Sequence, residues 1–343
     1  MKAAEWYNFR GMHHIMAYHT KPVTRIKFAH DDRGLFAMAS DDGTLSVVDA
    51  MASNIDGSRL VLKGHKAEVT DFCFSLENDY IVSSSMDKSI IVWDVKTGKF
   101  VRGFEDPDPI TCVMFHPIND HLLIYGNTRG EIKFVSFSNG SQVAYFKVNN
   151  PVTCIAFDEQ QATTMYVGDN AGELTFLNVK YSAQEYHLDS TGLARLNRSP
   201  IHSIAWRAQQ TSKWSVPTLL ISQADQPLKM LACRKVDGKE SVQELAKFPR
   251  ALKRSKIRAI YCPVTNRGEM PCVAVGSDTG TIYIYGYAQT TDDKKTSKVT
   301  LVNQLAGHSG TIIDLAWNND ESLLASCDKD GVVIMWKRIE LLR

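Results

Sequence analysis

The sequence lacks the marks of a redox, secreted or membrane protein. Its 7 cysteines are odd in number, irregularly spaced and without a C-x-x-C pair. That argues against a disulfide framework, a zinc ribbon or a thioredoxin-like site, and reduced thiols are expected. Charge of one sign is equally short. Thirty-nine basic against 38 acidic side chains leave +1, too balanced for the broad positive field of a dedicated nucleic-acid binder, so charge-driven binding must be local. No apolar run approaches the roughly 18 residues of a membrane span, and no charged-then-apolar leader opens the chain, so a soluble intracellular protein is expected. G-x-x-x-x-G-K-[ST] and H-E-x-x-H are missing; neither a phosphate-cradling loop nor a zinc-protease helix is supported, and no cofactor or metal is expected. Asn139-Gly140-Ser141 and Asn197-Arg198-Ser199 match the glycosylation pattern, without consequence in an intracellular chain.

What is present is a repeat. PITCVMF (Pro109 to Phe115) returns 42 residues later as PVTCIAF (Pro151 to Phe157). The same template of three apolar anchors, at +4, +7 and +9 from a marker residue, gives Val23, Ile26, Phe28; Val69, Phe72, Phe74; Ile110, Val113, Phe115; and Val152, Ile155, Phe157. It continues as Ile201, Ile204, Trp206; Ile257, Ile260, Cys262; and Ile312, Leu315, Trp317. Each copy is followed by apolar runs split by a small polar turn, as in IVSSSMDKSIIVWD from Ile81 and LLASCDKDGVVIMW from Leu323. β-Branched and aromatic residues bounded by Ser, Asp and Gly are strand and hairpin signals. Four strands per copy, seven times over, predict an all-β, seven-bladed β-propeller. The blades are expected at about 19–63, 64–105, 106–147, 148–196, 197–249, 250–306 and 307–343. Only five residues, Ile339 to Arg343, follow the third strand of the last blade, so the segment 14–18 is expected to supply its fourth strand and close the ring.

Gly64-His65 with Trp93-Asp94, and Gly307-His308 with Trp336-Lys337, resemble the Gly-His and Trp-Asp marks of the WD-repeat family. A Ser, His and Asp set recurs in both places: His65, Ser83 and Asp87 with Trp93, and His308, Ser326 and Asp330 with Trp336. Histidine to aspartate is 22 residues in each. A hydrolase needs one activated nucleophile in a cleft, not the same set repeated at blade positions. The resemblance implies instead a structural tetrad running from indole to hydroxyl to imidazole to carboxylate. Blade one keeps His19 and Asp42 but has Met38 for the serine and Val48 for the tryptophan. Blades three, four and six carry Arg129, Ala171 and Thr279 at aspartate positions and Val135, Leu177 and Tyr285 at tryptophan positions; they are expected to rely on apolar packing between neighbours. Blade five, around Ser222 to Cys233, aligns least clearly.

Candidate partner contacts immediately precede the turn aspartates: Asp41, Met86 and Lys329, extended by Asp278 and Arg254. A basic run, Arg250, Lys253, Arg254, Lys256 and Arg258, lies between blades five and six. It reads first as a solvated loop and second as a site for an acidic protein segment or a nucleic-acid backbone; the scarcity of nearby aromatics weighs against nucleic acid. Trp214, in a polar insertion, is as good a candidate partner anchor as an edge-packing residue. Trp6, Tyr7 and Phe9 are expected to pack on the closing blade, and Asp292 to Lys298 to form a charged loop. Lys96, two places after Trp-Asp, hints weakly at a substrate adaptor of a ubiquitin ligase, where the family often has arginine. The reading that results is a non-enzymatic protein-interaction scaffold of nucleus or cytoplasm, binding other proteins through propeller loops. An acidic-ligand binder taking nucleic acid or a lipid headgroup through residues 250–258, or a substrate adaptor of a ubiquitin ligase, is the alternative, and a hydrolase is a weaker one.

Overall fold

Anchors at +4 and +7 are an odd distance apart, and side chains of a regular strand alternate with a period of two, so both cannot face one core without an irregularity. The computed structural model, which describes residues 7–182, 185–210, 215–236, 239–251, 256–263, 271–288 and 297–339, shows how the conflict is resolved. In six of the seven innermost strands the ladder is interrupted just after the first anchor: Val23 pairs with Ser40 and Arg25 with Ala39, leaving Thr24 as the extra residue. The same shift occurs between Val69 and Asp71, Ile110 and Cys112, Val152 and Cys154, Ile201 and Ser203, and Ile312 and Asp314. Each bulge restarts the alternation. Val23 and Ile26, or Val69 and Phe72, are consequently both buried.

The strands assemble into seven four-stranded antiparallel sheets. Their innermost strands, Val23–Phe28, Val69–Phe74, Ile110–His116, Val152–Phe157, Ile201–Gln210, Ala259–Tyr261 and Ile312–Trp317, touch one another in sequence, and the last touches the first. The ring is closed, as a propeller requires. Apolar cores lie between sheets rather than within them. Leu45 and Leu62 of blade one pack on Phe72 and Trp93 of blade two, and Phe134 of blade three packs among Val152, Phe157 and Met165 of blade four. Met16 and Val333 of the last blade meet Ile26 and Phe36 of the first. No blade can bury its own faces alone.

The last blade takes its outer strand from the start of the chain. Phe9–Met16 runs antiparallel to Val333–Arg338, with Phe9 opposite Arg338 and Met16 opposite Val333. This corrects the expected segment 14–18: pairing begins at Phe9 and stops at Met16, because the chain turns away through residues 17–22 to enter the first inner strand. Tyr7 and Phe9 pack on Trp317, with ring centroids 6.5 and 5.9 Å apart. Trp6 lies outside the described residues.

Candidate functional site

Register places the serine and tryptophan of blade two on adjacent strands, Tyr80–Ser85 and Ser89–Asp94, and the histidine reaches them from the loop before Val69–Phe74. Trp93 Nε1 donates to Ser83 Oγ (2.8 Å), and Ser83 Oγ lies 2.8 Å from His65 Nε2. His65 Nδ1 faces Asp87 Oδ2 at 3.2 Å and Ser89 Oγ at 2.8 Å. Burial lowers the His65 pKa, only partly opposed by Asp87, which keeps the imidazole neutral as a linker. Burial would raise the Asp87 carboxyl, but hydrogen bonds from Ser89 and from the Lys66 and Ser89 amides, with His65 beside it, hold it below the usual carboxylate range. Ser83 is 0% exposed and already holds the indole N–H, so its oxygen has neither access nor freedom to act as a nucleophile.

Blade seven departs from the expected pattern at its carboxylate. Trp336 Nε1 donates to Ser326 Oγ (2.8 Å) and Ser326 Oγ lies 2.7 Å from His308 Nε2, but the group facing His308 Nδ1 is Asp328 Oδ2 at 2.8 Å. Asp330, expected there, is exposed and outside the chain of bonds. The reason is the turn. Asp328 ends its strand opposite Ile312, where blade two has Ser85 opposite Val69. From there its other oxygen accepts the amides of Asp330 (3.0 Å) and Val332 (2.9 Å). Asn127, Asp169 and Ser277 make the same pair of turn bonds in blades three, four and six. The turn acceptor has thus moved two places upstream of the positions held by Arg129, Ala171 and Thr279. In blade one His19 Nδ1 lies 3.0 Å from Asp42 Oδ2, while His19 Nε2 is buried without a partner, as Met38 in place of serine requires.

Blade three does not rely on apolar packing alone, contrary to expectation. Asp106 occupies its marker position, 6% exposed, and accepts from Tyr125 Oη (2.9 Å), Asn127 Nδ2 (3.0 Å) and Lys133 Nζ (2.6 Å). Asp106, Asp108 and Glu131 converge closely enough to hold a metal ion. Lys133 already supplies the positive charge, at 2.6 Å from Asp106 and 3.0 Å from Glu131, and Arg129 lies 3.2 Å from Asp108.

The bulge residues meet at the centre of the ring. Thr24, Thr70, Thr111, Thr153, His202 and Ile313, with Arg258 at the equivalent place in blade six, contribute one side chain per blade to a cavity of about 590 Å³. Its mouth is formed by Asp41, Met86 and Lys329 together with Glu68, Asn170 and Lys256. Three of the six candidate contacts are therefore gathered round one opening. Asp278 does not line it, and Arg254 and Trp214 lie outside the described residues, as do Lys253 and most of the insertion from Asp292. The basic run is not the single solvated loop expected of it: Lys256 stands at the mouth while Arg258, partly buried, is drawn into the channel. Below, Arg25 bridges Asp71 (2.6 Å) and Asp314 (3.1 Å). The channel lining had no sequence signal of its own except its fixed place one residue after the first anchor.

Residues 12–49, 57–94 and 299–337 match the family described as WD domain, G-beta repeat. Among curated proteins, U3 small nucleolar RNA-associated protein 21 of Saccharomyces cerevisiae is 37% identical over 29% of this chain and 10% of its own length. Eukaryotic translation initiation factor 3 subunit I of Schizosaccharomyces pombe is 31% identical over 32% of each chain. Human WD repeat-containing protein 36 is 29% identical over 34% of this chain and 13% of its own. The matches thus span between a tenth and a third of these relatives. The solved β-propeller domain of Myceliophteria thermophila Cps50 (Swd1) superposes with a TM-score of 0.70 at 16% identity, covering 96% of this chain and 99% of that one. Among the described residues no helix is long and apolar enough to cross a membrane. The four-stranded sheets closed in a ring make the chain a seven-bladed β-propeller, and about a third of its sequence, in the first, second and last blades, matches the WD-repeat model.

Proposed function

We propose that the chain is a non-enzymatic platform that recruits other proteins to the loops around its channel mouth. WD-repeat propellers act in general as protein-interaction scaffolds, and fold by itself does not choose the partner. The observation that carries the reading is the convergence of Asp41, Met86 and Lys329, from blades one, two and seven, on one opening, while the Ser83 and Ser326 hydroxyls are sealed inside the blades. The mixture suits a docking face: an exposed methionine adapts to irregular apolar surface, and charges of both signs at its rim set orientation. The relatives named for a small nucleolar RNA and for translation initiation fit a scaffold of nucleus or cytoplasm. The order of intact and degenerate blades also resembles WD-repeat-containing protein thirteen, a regulatory scaffold.

The test is an affinity capture from extract of the source cells, comparing the natural chain with the triple substitution Asp41→Lys, Met86→Ala, Lys329→Glu. Capture should be lost with the melting temperature unchanged. Capture retained by a folded triple variant would move the docking face to the blade edges.

A further inference from the structure

The channel cavity holds cationic groups that no carboxylate among the described residues touches directly. Arg25 takes both Asp71 and Asp314 as direct partners. The Arg258 guanidinium, above it, makes one hydrogen bond among the described residues, donating to the His202 carbonyl at 3.3 Å, and feels Asp71 and Asp314 only from further off. Lys256 stands above it at the mouth, and His202 Nε2 is buried without a hydrogen-bond partner. The threonines cannot serve as donors there, because their hydroxyl protons are committed: Thr24 to Val69 O, Thr70 to Ile110 O, Thr111 to Gly126 O and Thr153 to Gly168 O, at 2.8 to 3.0 Å. What they leave facing the cavity, with Ile313, is apolar wall.

A slot with aliphatic walls, one cation in its wall and another at its mouth, neither in direct contact with a carboxylate among the described residues, matches one kind of side chain, a flexible methylene stem ending in a carboxylate. We propose that the cavity takes the carboxylate of a glutamate or aspartate on an extended segment of a partner protein, held by Arg258, Lys256 and His202 Nε2. A charge-assisted bond of this kind is roughly twice as strong as a neutral one, and the neighbourhood favours it. Burial, then Arg258 and Lys256, push the His202 pKa down to about 4 against the pull of Asp225. Burial and Arg25 likewise depress Arg258, against Asp314 and Asp71. Both perturbations are relieved by an entering anion. Asp41 and Glu68, also at the mouth, orient the segment by repelling further acidic residues.

This inference rests on the mouth being the docking face, and the two can fail separately. The full chain is titrated with blocked hexaglutamate, with hexaglutamine and inorganic phosphate as comparisons, and followed by calorimetry and by the imidazole resonances of His202, assigned with His202→Gln. Hexaglutamate should raise the His202 titration midpoint from about 4 towards its ordinary value. Arg258→Met should weaken binding roughly tenfold or more and the exposed Lys256→Gln about threefold, from the usual strength of charged hydrogen bonds. Should Arg258→Met fail to fold, the lysine variant and the His202 midpoint still decide. Equal binding of hexaglutamine, or affinity unchanged in both variants, overturns the proposal. Phosphate binding as tightly as hexaglutamate at the same residues overturns its assignment to a partner's side chain in favour of a free anion. An unmoved His202 beside a triple variant that loses capture defeats this inference and leaves the platform standing; a responsive His202 beside a triple variant that retains capture does the reverse.

Discussion

Two aspartates, two residues apart in blade seven, separate what spacing can reveal from what only a turn can. Asp328 holds His308 and two turn amides at once, whereas Asp330 is solvated. Removing a buried acceptor strands every donor aimed at it. Asp328→Ala should therefore cost roughly 2–3 kcal/mol and Asp330→Ala less than about 0.5 kcal/mol, with Asp87→Ala costing roughly 1–3 kcal/mol in blade two. Denaturant melts of the three variants check this, and equal losses at 328 and 330 would put the tetrad carboxylate in doubt. The tryptophans and serines were legible because strand register fixes them: serine to tryptophan is ten residues in both blades; the histidines were legible from their Gly-His pair, four residues before the first anchor. The carboxylate was not, since a turn can supply the same oxygen from either of two places. Asp106 escaped for a related reason. An aspartate at a histidine position breaks the motif, yet with Lys133 it builds a polar network of its own.

The element most dependent on backbone geometry is the turn between the second and third strands of each blade. Gly43, Gly130, Gly172, Gly280 and Gly331 all have positive φ there, and blade two has Lys88 at φ 71. At Gly172 a side chain is barred twice, by φ +83 and by the Asn197 carbonyl, which a Cβ would meet at 1.9 Å. Gly172→Ala should lose about 2–4 kcal/mol, since strain and steric overlap add. Lys88→Gly should gain up to about 1 kcal/mol, because a left-handed conformation disfavours a side chain; thermal melts of the pair are expected to shift in opposite directions. Here the seven inner strands were readable from their anchors, and the odd spacing of those anchors was the trace of the bulge. What the anchors could not convey is that the bulge residue turns towards the axis. For that reason Arg258 looked like one charge in a basic loop rather than part of the channel wall.

At the scale of the whole molecule, stability depends on every blade having two neighbours. The cores sit at blade interfaces, so opening the ring at one seam uncovers apolar surface on both sides. The seam at the last blade is held by Phe9–Met16, whose Met16 belongs to the core shared with blade one. Deleting residues 1–16 should lower the melting temperature by roughly 5 °C or more, at 2–4 °C per kcal/mol for domains of this class, and should promote association through the bared edge of Val333–Arg338. An unchanged melt would mean that the ring does not depend on that strand. The number of blades and the principle of closure were legible because they follow from counting strands. The extent of the closing strand was not, since pairing partners separated by almost the whole sequence leave no local pattern at either end.

That pairing also sets an order of events during synthesis. The strand Phe9–Met16 leaves the ribosome about 320 residues before its partner, Val333–Arg338, is made. At about 5–20 residues per second the wait is on the order of twenty seconds to a minute. Throughout that time Met12, Ile15 and Met16 have no sheet to join, and each finished blade presents an uncovered flank to the next. The growing chain is an open arc until Val333–Arg338 appears, so its exposure to misassembly is decided by the speed of translation as much as by the stability of the finished ring.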